Sequence, residues 1–245
     1  MNENELEPHL SHIATQWTML YQAHRGGAAE AAAARQELML RYCGAVYRYL
    51  LRAVRDASVA EDLTQEFALR FIQGRFGQAD RGQGRFRNYV KGALFRLVQD
   101  HYRALGKGPR PVPLAEQEVA APDEQAAAEG DFRDSWRQEL LSRAWKALER
   151  VQAETGQPFH DVLRARVDQP ELSSAQLAGH LSSRRDRPLS AVGVRQWLHR
   201  ARQRFAELLL EEVRQSLEGA PAEEVVEELA ELNLLKYCKD VLDCR

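Results

Sequence analysis

The chain has only three cysteines among its 245 residues, Cys43, Cys238 and Cys244. Three thiols cannot all pair with one another, so no disulfide framework is suggested and a reducing compartment is the expected setting. Aromatic residues are scarce at 8%, while Ala, Leu, Arg and Glu dominate, which favours helix over sheet. No uninterrupted apolar run approaches the roughly 18 residues that a membrane span needs. The opening MNENELEPHLSH lacks the basic start and apolar core of a signal peptide. A cytoplasmic protein without membrane insertion is therefore expected.

Catalytic signatures are missing too. There is no phosphate-cradling glycine loop with its lysine. His9 and His12 have no further metal ligands close in sequence. Asp100 with His101, and His160 with Asp161, are neighbours whose side chains point about 100° apart on a helix, with no nucleophile indicated. Cys238 and Cys244 have no histidine partners, which makes a metal or redox role weak. No catalytic residue, metal site or cofactor is expected, and the chain is read as a non-enzyme.

What the chain has is blockwise charge. The net −2 divides into −2 over residues 1–35, +7 over 36–110, −6 over 111–135, +4 over 136–215 and −5 over 216–245. Two basic blocks separated by an acidic one suggest two nucleic-acid-facing modules and a solvated connector. An ordinary Arg- and Glu-rich helical surface is the plainer alternative.

Helical periodicity organises the same blocks. Leu38, Tyr42, Ala45, Val46, Tyr49 and Leu50 form one stripe. Leu63, Phe67 and Phe71 form a second, and Phe86, Tyr89, Val90, Ala93, Leu94, Leu97 and Val98 a third. Trp17, Leu20 and Tyr21 suggest a short helix before the Gly26–Gly27 break. GKGPRPVP, residues 106–113, cannot continue a helix, because proline lacks the amide donor and clashes with the preceding turn. The Ala-, Glu-, Asp- and Pro-rich segment from there to Asp134 predicts an extended linker. A second module then begins, with Phe132, Trp136, Leu140, Ala144 and Leu148 on one helix and Phe159, Val162, Leu163 and Val167 on the next. The predicted organisation is all-α: a polar tail at 1–16, a helical domain at 17–105, a linker at 106–134, a helix-turn-helix domain at 135–215 and an acidic helical tail at 216–245.

Within residues 172–210, Ser173 and Gln176 fit a capping box ahead of Leu177 and Leu181. SSRRDRP then breaks the helix, and Ser190 can cap the next one. Val194, Leu198, Ala201, Phe205, Leu208 and Leu209 form that helix's buried stripe. Its opposite face centres on Val192, Gln196, His199, Arg200 and Gln203, with Arg195 and Arg202 on one flank and Trp197 and Arg204 on the other. Such a face suits the major groove, although an exposed Arg-rich helix would look similar. Trp197, at the edge of the buried stripe, is expected to pack against the turn at 182–188. In the tail, Val226, Leu229, Leu232 and Leu235 have near-helical spacing and are expected to cover an apolar patch on the second module.

Several of these features resemble one family. Ala60, Glu61, Asp62, Leu63, Gln65 and Glu66 resemble the polymerase-docking helix of extracytoplasmic-function (ECF) sigma factors. Phe86 and Arg87, with Asp100, His101 and Arg103 further on, resemble the end of the same second region. VRQWLHRARQRF, residues 194–205, resembles the recognition helix of the fourth region, matching at Val194, Arg195, Leu198, Arg200, Ala201 and Arg202. The motifs come in the family's order with a linker between them. The turn at 182–188 is longer than the family's, and Trp197 stands where many members carry a polar or basic residue. The long turn and the acidic tail with Tyr237 and Cys238 look similar to the planctomycete-type subgroup.

The resemblance implies core RNA polymerase and promoter DNA as partners, with an anti-sigma factor or other regulator as a further candidate. It implies that Glu61, Asp62, Gln65 and Glu66 dock on polymerase. Arg81, Arg85, Arg87, Asn88 and Lys91, around the glycine-containing loop at 76–85, would contact the minus-ten element. Arg195, Gln196, His199, Arg200, Arg202 and Arg204 would contact the minus-thirty-five element. The rival readings are a helix-turn-helix regulator that does not engage polymerase and a helical, anti-sigma-like adaptor that does not bind DNA.

Overall fold

A computed structural model describes residues 29–73, 85–106, 122–182, 190–217 and 220–243. The expected helix around Trp17, Arg81 with most of its loop, most of the 182–188 turn and Cys244 lie outside the described residues. The described elements are α1 (Ala29–Val54), α2 (Ala57–Ile72), α3 (Phe86–Ala104), α4 (Pro122–Thr155), α5 (Phe159–Asp168), α6 (Ser174–Ser182), α7 (Ala191–Ser216), α8 (Ala222–Glu231) and α9 (Leu235–Asp243). No strand occurs among the described residues, and the fold is all-α. Backbone contacts divide it into two compact units, residues 1–139 and 140–245.

In the first unit, α1 buries its expected stripe from Tyr42 to Leu50, and burial extends to Met39, Cys43 and Tyr47. The helix is buried beyond one stripe because α2, α3 and the start of α4 all meet it. Arg55 makes the turn out of α1 in the left-handed region, φ 58°. Asp56 then caps α2, its carboxylate accepting the Val59 amide at 3.1 Å. Leu63, Phe67 and Phe71 are buried as their spacing requires. On α3, Val90, Ala93, Leu94, Leu97 and Val98 are buried, and Phe95 joins them edge-on to Tyr49. Gly106, at φ 63°, ends that helix.

The linker differs from expectation. Helix α4 begins at Pro122, well inside the segment predicted to be extended. Phe132 and Trp136, expected to open the second module, belong to the first unit. Phe132 packs edge-on against Tyr49 with centroids 5.6 Å apart, and Trp136 lies on Tyr42. Both side chains are essentially inaccessible to water. The Ala- and Glu-rich composition that looked like a solvated connector is equally a good helix former. Two aromatics four residues apart give such a helix a face to bury.

In the second unit, Leu140, Ala144 and Leu148 of α4, and Phe159, Val162 and Leu163 of α5, are buried. Val167 is not; it lies beyond the packed part of α5, 56% exposed. Gly156, at φ 69°, closes α4. The capping box forms as predicted: the Ser173 amide donates to Gln176 Oε1 at 2.9 Å, and the Gln176 amide donates to Ser173 Oγ at 3.3 Å. Ser190 Oγ likewise accepts the Gly193 amide at 3.0 Å and starts α7. Val194, Leu198, Ala201, Phe205 and Leu209 are buried, with Leu208 half-buried.

The acidic tail folds back on α7 as two helices rather than one. Asn233, at φ 55°, turns the chain between α8 and α9, so the buried set is Val225, Leu229, Leu232, Leu234 and Cys238. Val226, expected inside, is 39% exposed. Val225, four residues before Leu229, takes the buried place on α8 instead of Val226, and beyond the Asn233 turn Leu234 and Cys238 are buried while Leu235 is half-buried. Cys238 Sγ donates to the Ala206 carbonyl of α7 at 3.8 Å.

Candidate functional site

Helix α2 carries the acidic face. Its apolar residues fix one side against α1 and α3, which turns Glu61, Asp62, Gln65 and Glu66 to the other. Asp62 is exposed, and the other three are half-buried. Glu61 lies close enough to α1 to act on Tyr47, whose phenol is pushed above its ordinary range by burial first and by the Glu61 charge second. Glu66 pairs with Arg70, and Arg70 also donates to Asp100 of α3 at 3.4 Å. Asp100 accepts from Arg103 at the same distance. This alternating chain of four charges links the acidic face to the end of α3. The sequence stripes did not reveal it, because Arg70 and Asp100 are thirty residues apart.

Of the five residues expected around the next basic surface, four are described. Arg85 precedes α3, half-buried, and Asn88 is exposed on its first turn. Arg87 points inward and is 8% exposed. Lys91 is half-buried and donates to Glu129 of α4 at 3.2 Å. The same acidic stretch engages α1: Arg52 donates to the Asp131 carbonyl at 3.1 Å and to Ser135 Oγ at 3.3 Å. Arg48 pairs with Glu139, both largely shielded from water. Arg48, Arg52 and Lys91 are therefore each paired with residues of α4, which begins within the expected linker. The acidic composition of residues 111–135 was legible in sequence, but its pairing with Arg52 and Lys91 was not.

On α7, Arg195, Gln196, His199, Arg200 and Arg202 are all exposed, as the periodicity required. Arg204 is half-buried and donates to Glu207 at 2.8 Å. Val192, on the same outward face, is 55% exposed. Trp197 does not point outward. Among the described residues it meets Phe159 of α5 edge-on, with centroids 5.8 Å apart; most of the turn it was expected to contact lies outside the described residues. Behind this face, Arg143 donates to the buried Glu212 at 2.7 Å, tying α4 to α7. Among the described residues no group of His, Cys, Asp and Glu is arranged to hold a metal ion, and no helix is long and apolar enough to cross a membrane.

Residues 38–108 match the family model for sigma-70 region 2, a span running from α1 past the end of α3. No curated protein and no solved structure matches the chain. The matched span holds the acidic face of α2, the charge chain through Asp100 and the start of α3, and it excludes all of α4 to α9. Region 2 binds core RNA polymerase and promoter DNA in proteins that regulate transcription without being enzymes. The first unit thus matches sigma-70 region 2 over residues 38–108.

Proposed function

We propose that this protein is an ECF-type sigma factor that directs transcription initiation from two promoter elements. On this reading the α2 face docks on core polymerase through Asp62 and its neighbours Glu61, Gln65 and Glu66. Arg85, Asn88 and Lys91 at the start of α3 engage the minus-ten element, together with Arg81. Helix α7 reads the minus-thirty-five element in the major groove. Gln196, His199 and Arg200 face base edges, and Arg195, Arg202 and Arg204 face phosphates. The observation that carries the reading is the region 2 match over residues 38–108. The second unit adds an N-capped helix with six exposed polar or cationic side chains on its outer face, Arg195, Gln196, His199, Arg200, Arg202 and Gln203, which suits groove binding.

The test is transcription in vitro with cognate core polymerase on genomic templates. Promoter-specific transcripts that require the protein are expected. Asp62→Lys, at an exposed position outside the Glu66–Arg70–Asp100 chain, should weaken core binding and leave helicity intact. A protein that binds promoter DNA yet never pulls down core polymerase would be a regulator of the rival kind. One that binds polymerase but no DNA at low salt would be an adaptor.

A further inference from the structure

Trp197 and Arg200 lie one turn apart on α7, and the Arg200 guanidinium carbon sits 5.3 Å above the Trp197 ring. The indole is itself held, edge-on to Phe159 of α5. Phe159 is buried at the first position of α5. A fixed aromatic ring thus lies beneath an exposed cation on the outer face of the helix. From these contacts we infer that Trp197 is a positioning residue that presents Arg200 as a fork to a guanine in the major groove. The inference rests on the reading of α7 as the helix that enters the groove.

The physical argument is one of pre-organisation. An unsupported Arg side chain samples many rotamers and must be ordered on binding. Stacking one face of the planar guanidinium on an indole limits that freedom and leaves the N–H groups projecting from its edge. Guanine alone offers two adjacent acceptors, O6 and N7, along its major-groove edge, whereas adenine pairs its N7 with an amino donor that repels a cationic donor. A stacked Arg therefore selects guanine more sharply than a mobile one. Lysine at 200 would keep the charge but lose the fork.

The experiment is selection of binding sites from a randomised promoter library with the full chain, followed by titration of the selected duplex. Wild type should return a guanine position that Arg200→Lys relaxes. Replacing that guanine by 7-deazaguanine, which lacks the N7 acceptor, should weaken wild-type binding by about tenfold or more. Trp197→Leu should lose this discrimination at that one position, and Trp197→Phe, which keeps an aromatic face, should retain most of it. Trp197→Met, which keeps apolar bulk without an aromatic face, provides the same reading should the leucine variant melt early. A Trp197→Leu protein that folds and still discriminates overturns the inference, as does one that weakens every sequence alike. If Gln196→Ala changes the selected sequence while Trp197→Leu does not, the inference fails and the groove reading stands. If no α7 variant changes it, both fall.

Discussion

The indole of Trp136 lies flat on the phenol ring of Tyr42, centroids 4.4 Å apart and planes 10° from parallel. The contact joins α4 to α1 across a cluster that also includes Phe86 and Phe132. It makes Phe132 and Trp136 part of the first unit's core, although they lie beyond the region 2 match. Trp136→Ala should cost that unit about 3–5 kcal/mol, the usual range for truncating a buried large aromatic. Urea unfolding of residues 29–139 with and without the substitution measures this. A fragment ending at residue 108 should be less stable than one ending at 139; equal stability of the two would show the aromatic contact to be dispensable.

Gly44 tests how closely α4 approaches α1. A Cβ at this position would fall inside contact distance of Glu139 Oε2 and crowd Arg48. The helical gain of Gly→Ala is about 1 kcal/mol, whereas losing a charge-assisted hydrogen bond costs about 1.5–3 kcal/mol. Gly44→Ala should therefore destabilise the first unit by roughly 1 kcal/mol, the difference between those terms. With Glu139→Ala already in place, the same substitution should stabilise. A reversal of sign between the two backgrounds in chemical denaturation is the expected result.

Glu129 holds Lys91, a candidate phosphate contact, through an ion pair whose carboxylate is about half exposed. Such a pair is worth under about 1 kcal/mol, so Glu129→Gln should barely alter stability. It should strengthen promoter binding at low salt and steepen the dependence of affinity on salt by about one contact. Fluorescence anisotropy over a salt series reads both effects. Unchanged affinity and slope would place Lys91 away from DNA.

Cys238 gives the second unit an alkaline limit. Burial pushes its thiol from 9.0 to about 11. The native state therefore keeps a proton that the unfolded chain releases first, and stability falls as pH rises through the interval between those values. Below that interval the contribution is fully present. Cys238→Ala should flatten the corresponding part of the alkaline decline. Thermal unfolding of both proteins at about pH 8 and about pH 10 is the check.

Much of this protein is set locally and was legible in sequence. The stripes of α1, α2, α3 and α7 are 3.6-residue patterns of apolar side chains, and most of their members are buried where those patterns place them, with Leu38, Phe86, Tyr89 and Leu208 half-buried. Ser173, Gln176 and Ser190 satisfy amide groups within three residues of themselves, so their roles needed no knowledge of the fold. The outward face of α7 followed from the same periodicity.

Tertiary structure alone decided which unit claims a helix and which charges meet. Phe132 and Trp136 fit the pattern of either module, and only the position of Tyr42 and Tyr49 assigns them to the first. In the tail, packing on α7 buried Val225 in place of Val226, and a single left-handed residue, Asn233, divides the tail into two helices. Glu66, Arg70, Asp100 and Arg103 become one chain of charges only when α2 lies against α3. Lys91 finds Glu129, and Trp197 finds Phe159, across thirty-eight residues each. Periodicity and capping act over one helical turn, whereas ion pairs and ring contacts depend on where distant helices come to rest, and no local pattern encodes that distance.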